Sequence, residues 1–239
     1  PPAPRFFFHP DDALADSVAS RGLGDVYKRQ SEMYGGDYIG SLDEDSPFNP
    51  KSPYAASKVF AHNMTKLYRE TYDLFCVNGI LFNHESPYRG ETFVTRKVTL
   101  GLNKIITGVA DRLVMGNIDA KRDWGHAKDY VNGMWKMLQA DEPDDYVLST
   151  NEFHSVREFI EKAFSLRGFD IQWKGEGLNE IGYDSSTGRE LIFISDKYFR
   201  PAEVEELLGD STKARNELKW SPEYTFDKLV EEMVESDAK

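Results

Sequence analysis

Between Ser52 and Tyr72 the chain reads SPYAASKVFAHNMTKLYRETY, and Val59, Phe60, Met64, Leu67 and Tyr68 recur at the three- and four-residue spacing of a helical face. Ser52 is placed to cap this helix and Pro53 to occupy its first position, where a missing N–H costs nothing. The period then changes. LFCVNGILFN (74–83) alternates too little for a strand exposed on one side, so it reads as a strand buried on both faces. Beyond it the pattern predicts a helix over 94–109, a short strand in RLVMGN, a helix over 129–138 carrying Val131, Met134, Trp135 and Leu138, and a strand in YVLST. SVREFIEKAFSLRG has Ser155 and Glu158 as a capping box and Gly168 as its stop. IQW and LIFIS are expected strands; PAEVEELLG, DSTKARNEL and TFDKLVEEMV are expected helices. Gly175 to Arg189 reads as a loop.

Strands alternating with helices predict an α/β protein built round a mainly parallel sheet. With 239 residues, 40% of them hydrophobic, the chain has enough material for one substantial core, or a core and a smaller lobe. No apolar run approaches the roughly 20 residues of a bilayer helix, and the first residues lack the pattern of a secretory signal, so the expectation is a cytoplasmic protein. The lone Cys76 lies in an apolar run and reads as a core residue. A net charge of -12 argues against sequence-independent binding to nucleic acid or anionic membrane. A small anionic ligand is still compatible, because a few converging arginines suffice for it. The five histidines show no ligand-like spacing, and no metal site is expected. Trp124 and Trp220 read as packing residues.

Tyr54 and Lys58 stand four residues apart on the first helix, which puts both side chains on one face. A tyrosine titrates near ~10, and an ammonium within ~4–6 Å favours the phenolate, so the pair suits a general base. The spacing alone is common on helices. Its setting narrows it: SEMYG lies about 20 residues upstream, and NHESPYRG follows the buried strand.

Together with SPYAASK, NGILFNHESPYRGETFVTRK, GNIDAKRDWGHAKDYV, YFRPAEVEELLGDSTKA and LKWSPEYTFDKLVEEMV, these blocks resemble the extended short-chain dehydrogenase/reductases, and within them the GDP-mannose 4,6-dehydratase family. The resemblance runs almost continuously from Ser31 to the C-terminus. It implies a doubly wound, Rossmann-like parallel sheet interleaved with a smaller C-terminal substrate-binding lobe over 31–239, NADP as cofactor and GDP-mannose as substrate. Tyr54 would then take the proton of the sugar 4-hydroxyl as hydride passes from C4 to NADP, and Lys58 would hold the nicotinamide ribose. Glu32 would act at C5 and C6, where water is lost before hydride returns; epimerase relatives carry no acid at that position. His84 and Arg89 match positions that contact the cofactor, and Asn83 one near the hexose. Lys97, Arg122, Arg200 and Glu203 match positions that hold the nucleotide diphosphate and its ribose or base. The resemblance also implies a homodimer or tetramer with the Tyr54 helix in the dimer contact; Tyr88 stands where an arginine is usual.

Two departures qualify this. Gln30 occupies the place of a threonine whose hydroxyl helps orient the sugar, and Ser31, expected on the opposite side of a strand, is a poor substitute. Residues 1–30 contain only Gly22-Leu23-Gly24, without the third glycine and preceding strand of a dinucleotide-binding turn. They are expected to be a foreign or disordered segment, with the sheet's first strands missing and the edge of the strand after the Tyr54 helix bare. On that basis the exact chain is expected not to turn over. The alternatives are a non-catalytic fragment that binds a GDP-sugar or a homologous subunit, and a related nucleotide-sugar epimerase or dehydratase.

Overall fold

The computed structural model describes residues 5–7, 24–35, 40–198 and 206–238, with 5–7 and 24–30 described by their backbone alone. In chain order the elements are β1 (Arg5–Phe7), β2 (Gly24–Gln30), β3 (Ser41–Leu42), α1 (Pro53–Tyr72), β4 (Cys76–Leu81), β5 (Asn83–Glu85), α2 (Val94–Ile106), β6 (Leu113–Met115), β7 (Lys121–Arg122), β8 (Trp124–His126), α3 (Ala127–Met137), β9 (Asp145–Leu148), β10 (His154–Ser155), α4 (Val156–Ser165), β11 (Ile171–Lys174), β12 (Ile181–Asp184), β13 (Glu190–Ile194), β14 (Glu206–Gly209), α5 (Thr212–Glu217) and α6 (Phe226–Asp237). They form two compact units. One comprises Pro1–His84, Asp123–Phe153 and Glu206–Glu223, the other Glu85–Arg122, His154–Glu205 and Tyr224–Lys239.

The first unit is built on a parallel sheet of order β1-β2-β4-β9. β4 is buried at every position, Asn78 included, as a run with so little apolar/polar alternation requires. β2 pairs with it in parallel from Asp25 opposite Cys76 to Gln30 opposite Leu81. This corrects the expectation of a bare β4 edge: the backbone of 24–30 satisfies the N–H and C=O groups that the edge would otherwise expose. The remaining expectations for residues 8–23 lie outside the described residues. Trp220 is buried, its Nε1 donating to the Asp129 carbonyl at 2.8 Å, and packs with Val77, Leu81, Tyr130, Met137, Tyr146 and Leu148. Trp124 and Cys76 are buried as well.

α1 starts where the sequence places it, with Ser52 Oγ accepting from Ala55 N at 3.0 Å, but it presents the opposite face. Phe60 is 60% exposed and Leu67 52%, while the buried positions are Ala55, Lys58, His62 and Thr65. α3 behaves likewise: Val131 and Trp135 are exposed, and Tyr130, Gly133 and Met137 are buried. Gly133 is required there, since a Cβ would come within 2.4 Å of Leu148 Cδ1. The buried face of α1 is held by polar bonds instead. Asp145, at the start of β9, accepts from Arg69 Nη1 and from Asn78 Nδ2, each at 2.9 Å, and His62 Nε2 lies 3.4 Å from its other oxygen.

The second unit pairs the antiparallel strands β11, β12 and β13 with β6, which runs parallel to β13. The stretch expected to be loop over 175–189 therefore contains β12, whose alternating burial covers only four residues. Helices α2, α4 and α6 pack on one another, and Val98, Leu102, Phe159, Ile160, Leu229 and Met233 on them are buried. Asp237 clamps α6 to α2, receiving Arg96 Nη2 at 2.7 Å and Thr99 Oγ1 at 2.5 Å. PAEVEELLG is a second correction. Its described part, Glu206–Gly209, is strand β14, parallel to β3 in the first unit, because its short apolar core pairs with Ser41 and Leu42 instead of completing a helical turn.

Asp123 ties three segments of the first unit. Fully buried, it accepts from Thr150 N at 2.8 Å, Thr150 Oγ1 at 2.7 Å, Asn151 N at 3.1 Å and Gly209 N at 3.3 Å. Burial outweighs these bonds and pushes its pKa up to about 6. In the unfolded chain the carboxyl titrates near ~3.9, so the folded state takes up the proton first as the pH falls. Ionised Asp123 therefore costs stability at neutral pH, and that cost is relieved between about pH 6 and about pH 4. Asp123→Asn, which points amide hydrogens at N–H donors and cannot titrate, should be less stable than wild type at pH 7. The gap should widen by about 1 kcal/mol at pH 5 in urea unfolding, whereas a gap that narrows on acidification would contradict the assignment.

Candidate active site

Glu32 does not stand on a strand end. Directly after β2 the chain tightens into one 3-10 turn, Ser31–Tyr34, in which Ser31, Met33 and Tyr34 are buried and Glu32 is half-exposed. Ser31 thus opens a turn instead of alternating across a strand, and the side chain of Gln30 is outside the described set. The turn closes at Gly35, whose N–H donates to the Glu32 carbonyl at 3.2 Å. Gly35 has φ +68°, and a Cβ on it would fall 2.2 Å from the Asn49 carbonyl oxygen, so only glycine fits.

Tyr54 and Lys58 lie at the N-terminal end of α1, with the Lys58 Nζ 5.1 Å from the centroid of the Tyr54 ring. The phenol is 42% exposed and the lysine 3%. A reachable phenol thus stands beside a buried ammonium, whose field is stronger for being desolvated. His84, on β5, sits against Tyr130 with ring centroids 4.9 Å apart. Its Nδ1 donates to the Phe82 carbonyl at 2.8 Å, which fixes the tautomer, since a carbonyl only accepts. Asn83, beside it, is half-buried.

The remaining candidates belong to the second unit. Arg89 pairs its Nε with the buried Glu85 at 3.1 Å and lays its guanidinium 3.6 Å from the Phe93 ring centroid. Glu85 also accepts from Thr95 Oγ1 at 2.7 Å, so Arg89 is braced at the entry to α2. Lys97, on α2, sits 3.6 Å from the Tyr198 ring centroid, and burial lowers its pKa. Arg122, on β7, faces His154 of β10 in the antiparallel register and donates from Nη1 to the Lys121 carbonyl at 2.8 Å. Tyr88 is 97% exposed. Arg200 and Glu203 lie outside the described residues.

Sequence reasoning missed the groups that fasten these side chains. Asp145, Phe48 and His62 lie in none of the motif blocks, and Asp123, inside GNIDAKRDWGHAKDYV, carries no signal of its own. One signal was present: Lys58, His62, Thr65 and Arg69 recur at the same helical period as the apolar residues of α1 and mark its buried side.

The family described as GDP-mannose 4,6 dehydratase matches residues 30–233. A GDP-mannose 4,6 dehydratase of Homo sapiens is 50% identical over 228 residues, covering 94% of this chain and 61% of that protein. One from Sinorhizobium fredii is 51% identical over 207 residues, covering 87% and 59% respectively. The chain thus spans about three fifths of the length of these relatives. Among solved structures, the RMD protein of Pseudomonas aeruginosa complexed with NADPH has a TM-score of 0.75 at 18% identity, over 94% of this chain and 70% of that one. The dTDP-glucose 4,6-dehydratase of Bacillus anthracis in complex with NAD has a TM-score of 0.72 at 22% identity, over 90% and 61%. At those identities the likeness is one of fold. The sequence matches go further, and by them this chain, with its acid on the SEMYG turn and its Tyr54 and Lys58 on the following helix, belongs to the GDP-mannose 4,6-dehydratase family.

Proposed function

We propose that this chain carries the acid–base groups of a dehydratase that converts GDP-mannose to GDP-4-dehydro-6-deoxy-mannose. The observation that carries the reading is the buried Lys58 ammonium beside the open Tyr54 phenol, in a chain half identical to named GDP-mannose dehydratases. Tyr54 takes the proton of the sugar 4-hydroxyl, and the Lys58 charge favours the phenolate that this requires. Glu32 takes the C5 proton once a ketone at C4 has acidified it, and delivers a proton to the C6 hydroxyl, which leaves as water. The proton removed from C5 is the one delivered, so Glu32 ends the elimination as it began; C5 takes up a proton as hydride returns to C6, and the one Tyr54 gained from the 4-hydroxyl balances it, which restores the phenolate.

The donor set fits a nicotinamide dinucleotide, NADP in the finer reading: a desolvated ammonium that suits ribose hydroxyls, a phenol, and a histidine of fixed tautomer. Lys58, Tyr54, His84 and Arg89 would hold it, and when bound it supplies the acceptor and donor for hydride at C4 and C6. Lys97 and Arg122, with Arg200 and Glu203, hold the GDP moiety, guanidinium forks being matched to phosphate oxygens, and Asn83 serves the hexose. We also assign α1 to a homodimer contact, alone or within a tetramer, for which the exposed Phe60, Leu67 and Tyr72 provide an apolar face.

The test uses the chain joined at its N-terminus to the preceding segment of the human relative. GDP-mannose should yield the keto product. Glu32→Gln should cut turnover by roughly 10²–10⁴-fold while the Kd for GDP-mannose stays within about twofold, and Tyr54→Phe should lose turnover comparably. A wild-type rate in Glu32→Gln would remove the carboxylate from the mechanism. Replacing both Phe60 and Leu67 by Glu should shift the sedimentation coefficient to that of the monomer, and an unchanged oligomer would place the contact elsewhere.

A further inference from the structure

On the reading above, Glu32 and Tyr54 serve one hexose, yet they come from separate elements joined by the loop 40–52, most of whose residues are exposed or half-exposed. Something must hold the turn against the helix. The ring of Phe48 lies 5.2 Å from that of Tyr34, the buried last residue of the Glu32 turn, and 4.9 Å from the imidazole of His62, edge on at 75°. His62 stands one helical turn after Lys58 on the buried face of α1 and is fixed at its far side by Asp145.

We infer that Phe48 is a positioning residue, the middle member of an aromatic strut Tyr34–Phe48–His62 that sets the Glu32 turn at a fixed place relative to the Tyr54 helix. The backbone around it is braced for this role. Asn49 N donates to the Met33 carbonyl at 3.0 Å, and the Tyr34 hydroxyl donates to the Asp43 carbonyl at 2.5 Å. The Asn49 carbonyl lies where a Cβ on residue 35 would meet it at 2.2 Å, so the close approach of loop and turn depends on Gly35. Pro47 and Pro50 flank Phe48-Asn49, each fixing its own φ, and Pro50 biases Asn49 toward extended backbone. Tyr34 rests also on Phe82, just after β4, with centroids 6.4 Å apart, so both ends of the strut bear on the central strand or its neighbour. Dispersion and ring quadrupole favour these offset and edge contacts, and a rigid ring transmits a displacement that a flexible aliphatic chain would absorb.

Two measurements test this, the first on the chain as it stands and independent of turnover. In native-state amide hydrogen exchange, Phe48→Leu should speed exchange of Gly35 by roughly tenfold. His62→Leu, 27 residues away and not in the loop, should do the same, the double variant should add nothing further, and Phe48→Tyr should restore protection. Additive effects, or a Gly35 amide indifferent to His62, would overturn the strut. The second is steady-state kinetics in the extended chain described above: Phe48→Leu should lower kcat roughly tenfold with KM for GDP-mannose unchanged, and Phe48→Tyr should recover it. A fall in stability with kcat intact would leave Phe48 a packing residue and refute positioning. If wild type fails to convert GDP-mannose, the proposed function falls, and the exchange experiment still decides whether the strut exists.

Discussion

The carboxylate of Asp145 gathers Arg69 from the last turns of α1, His62 from its middle and the amide of Asn78 from the centre of β4, and it does so at the first residue of β9. Arg69 extends the tie by donating to the Cys76 carbonyl at 3.1 Å, where β4 begins. One largely buried anion thus sets the helix that bears Tyr54 and Lys58 on two adjacent parallel strands. Such a group is costly to desolvate, and it persists in a fold only when its partners are complete. Here three donors surround it. A polar dock also differs from an apolar one in being directional: hydrogen bonds fix rotation and register of the helix, whereas hydrophobic contact is tolerant of both.

That choice explains an otherwise odd distribution. α1 turns Phe60, Leu67 and Tyr72 outward and buries Lys58, His62 and Thr65. The inward polar stripe places Lys58 in a desolvated setting, where its charge acts most strongly on a neighbouring phenol. From the same helix, four residues earlier, Tyr54 remains open to solvent. Asp123 repeats the device elsewhere in the unit, a buried carboxylate that holds the loop after β9 and the end of β14 through main-chain N–H groups.

Much of this was legible in the sequence, for identifiable reasons. The bounds of α1 follow from Ser52, Pro53 and a repeat long enough to average out exceptions, and β4 from a largely apolar run without alternation. α4 follows from its capping box. Which face of α1 is buried was not legible, because two stripes share its period and the apolar one is the usual guide; only the partners on β4 and β9, distant in sequence, decide between them. β14 was read as helix because four residues carry too little period to reveal a strand whose partner lies over 160 positions away. β2 escaped for a similar reason, its stabilising partner β4 being just over 50 residues downstream. Glu32, Tyr54 and Lys58 are singled out by motif resemblance, the level at which a sequence carries chemistry. The supports at Phe48, Asp123 and Asp145 serve other side chains instead of the ligand, and a one-dimensional pattern has no mark for that.

The most direct test of the account is a double-mutant cycle between Asp145→Leu and Arg69→Met, read by urea unfolding of the chain. If the buried ion pair docks α1, each single replacement strands a charge and costs about 3 kcal/mol, and the double replacement costs less than the sum by about 2 kcal/mol. Strict additivity, or single costs near those of an exposed ion pair at about 0.5 kcal/mol, would show that the helix is held by something other than Asp145.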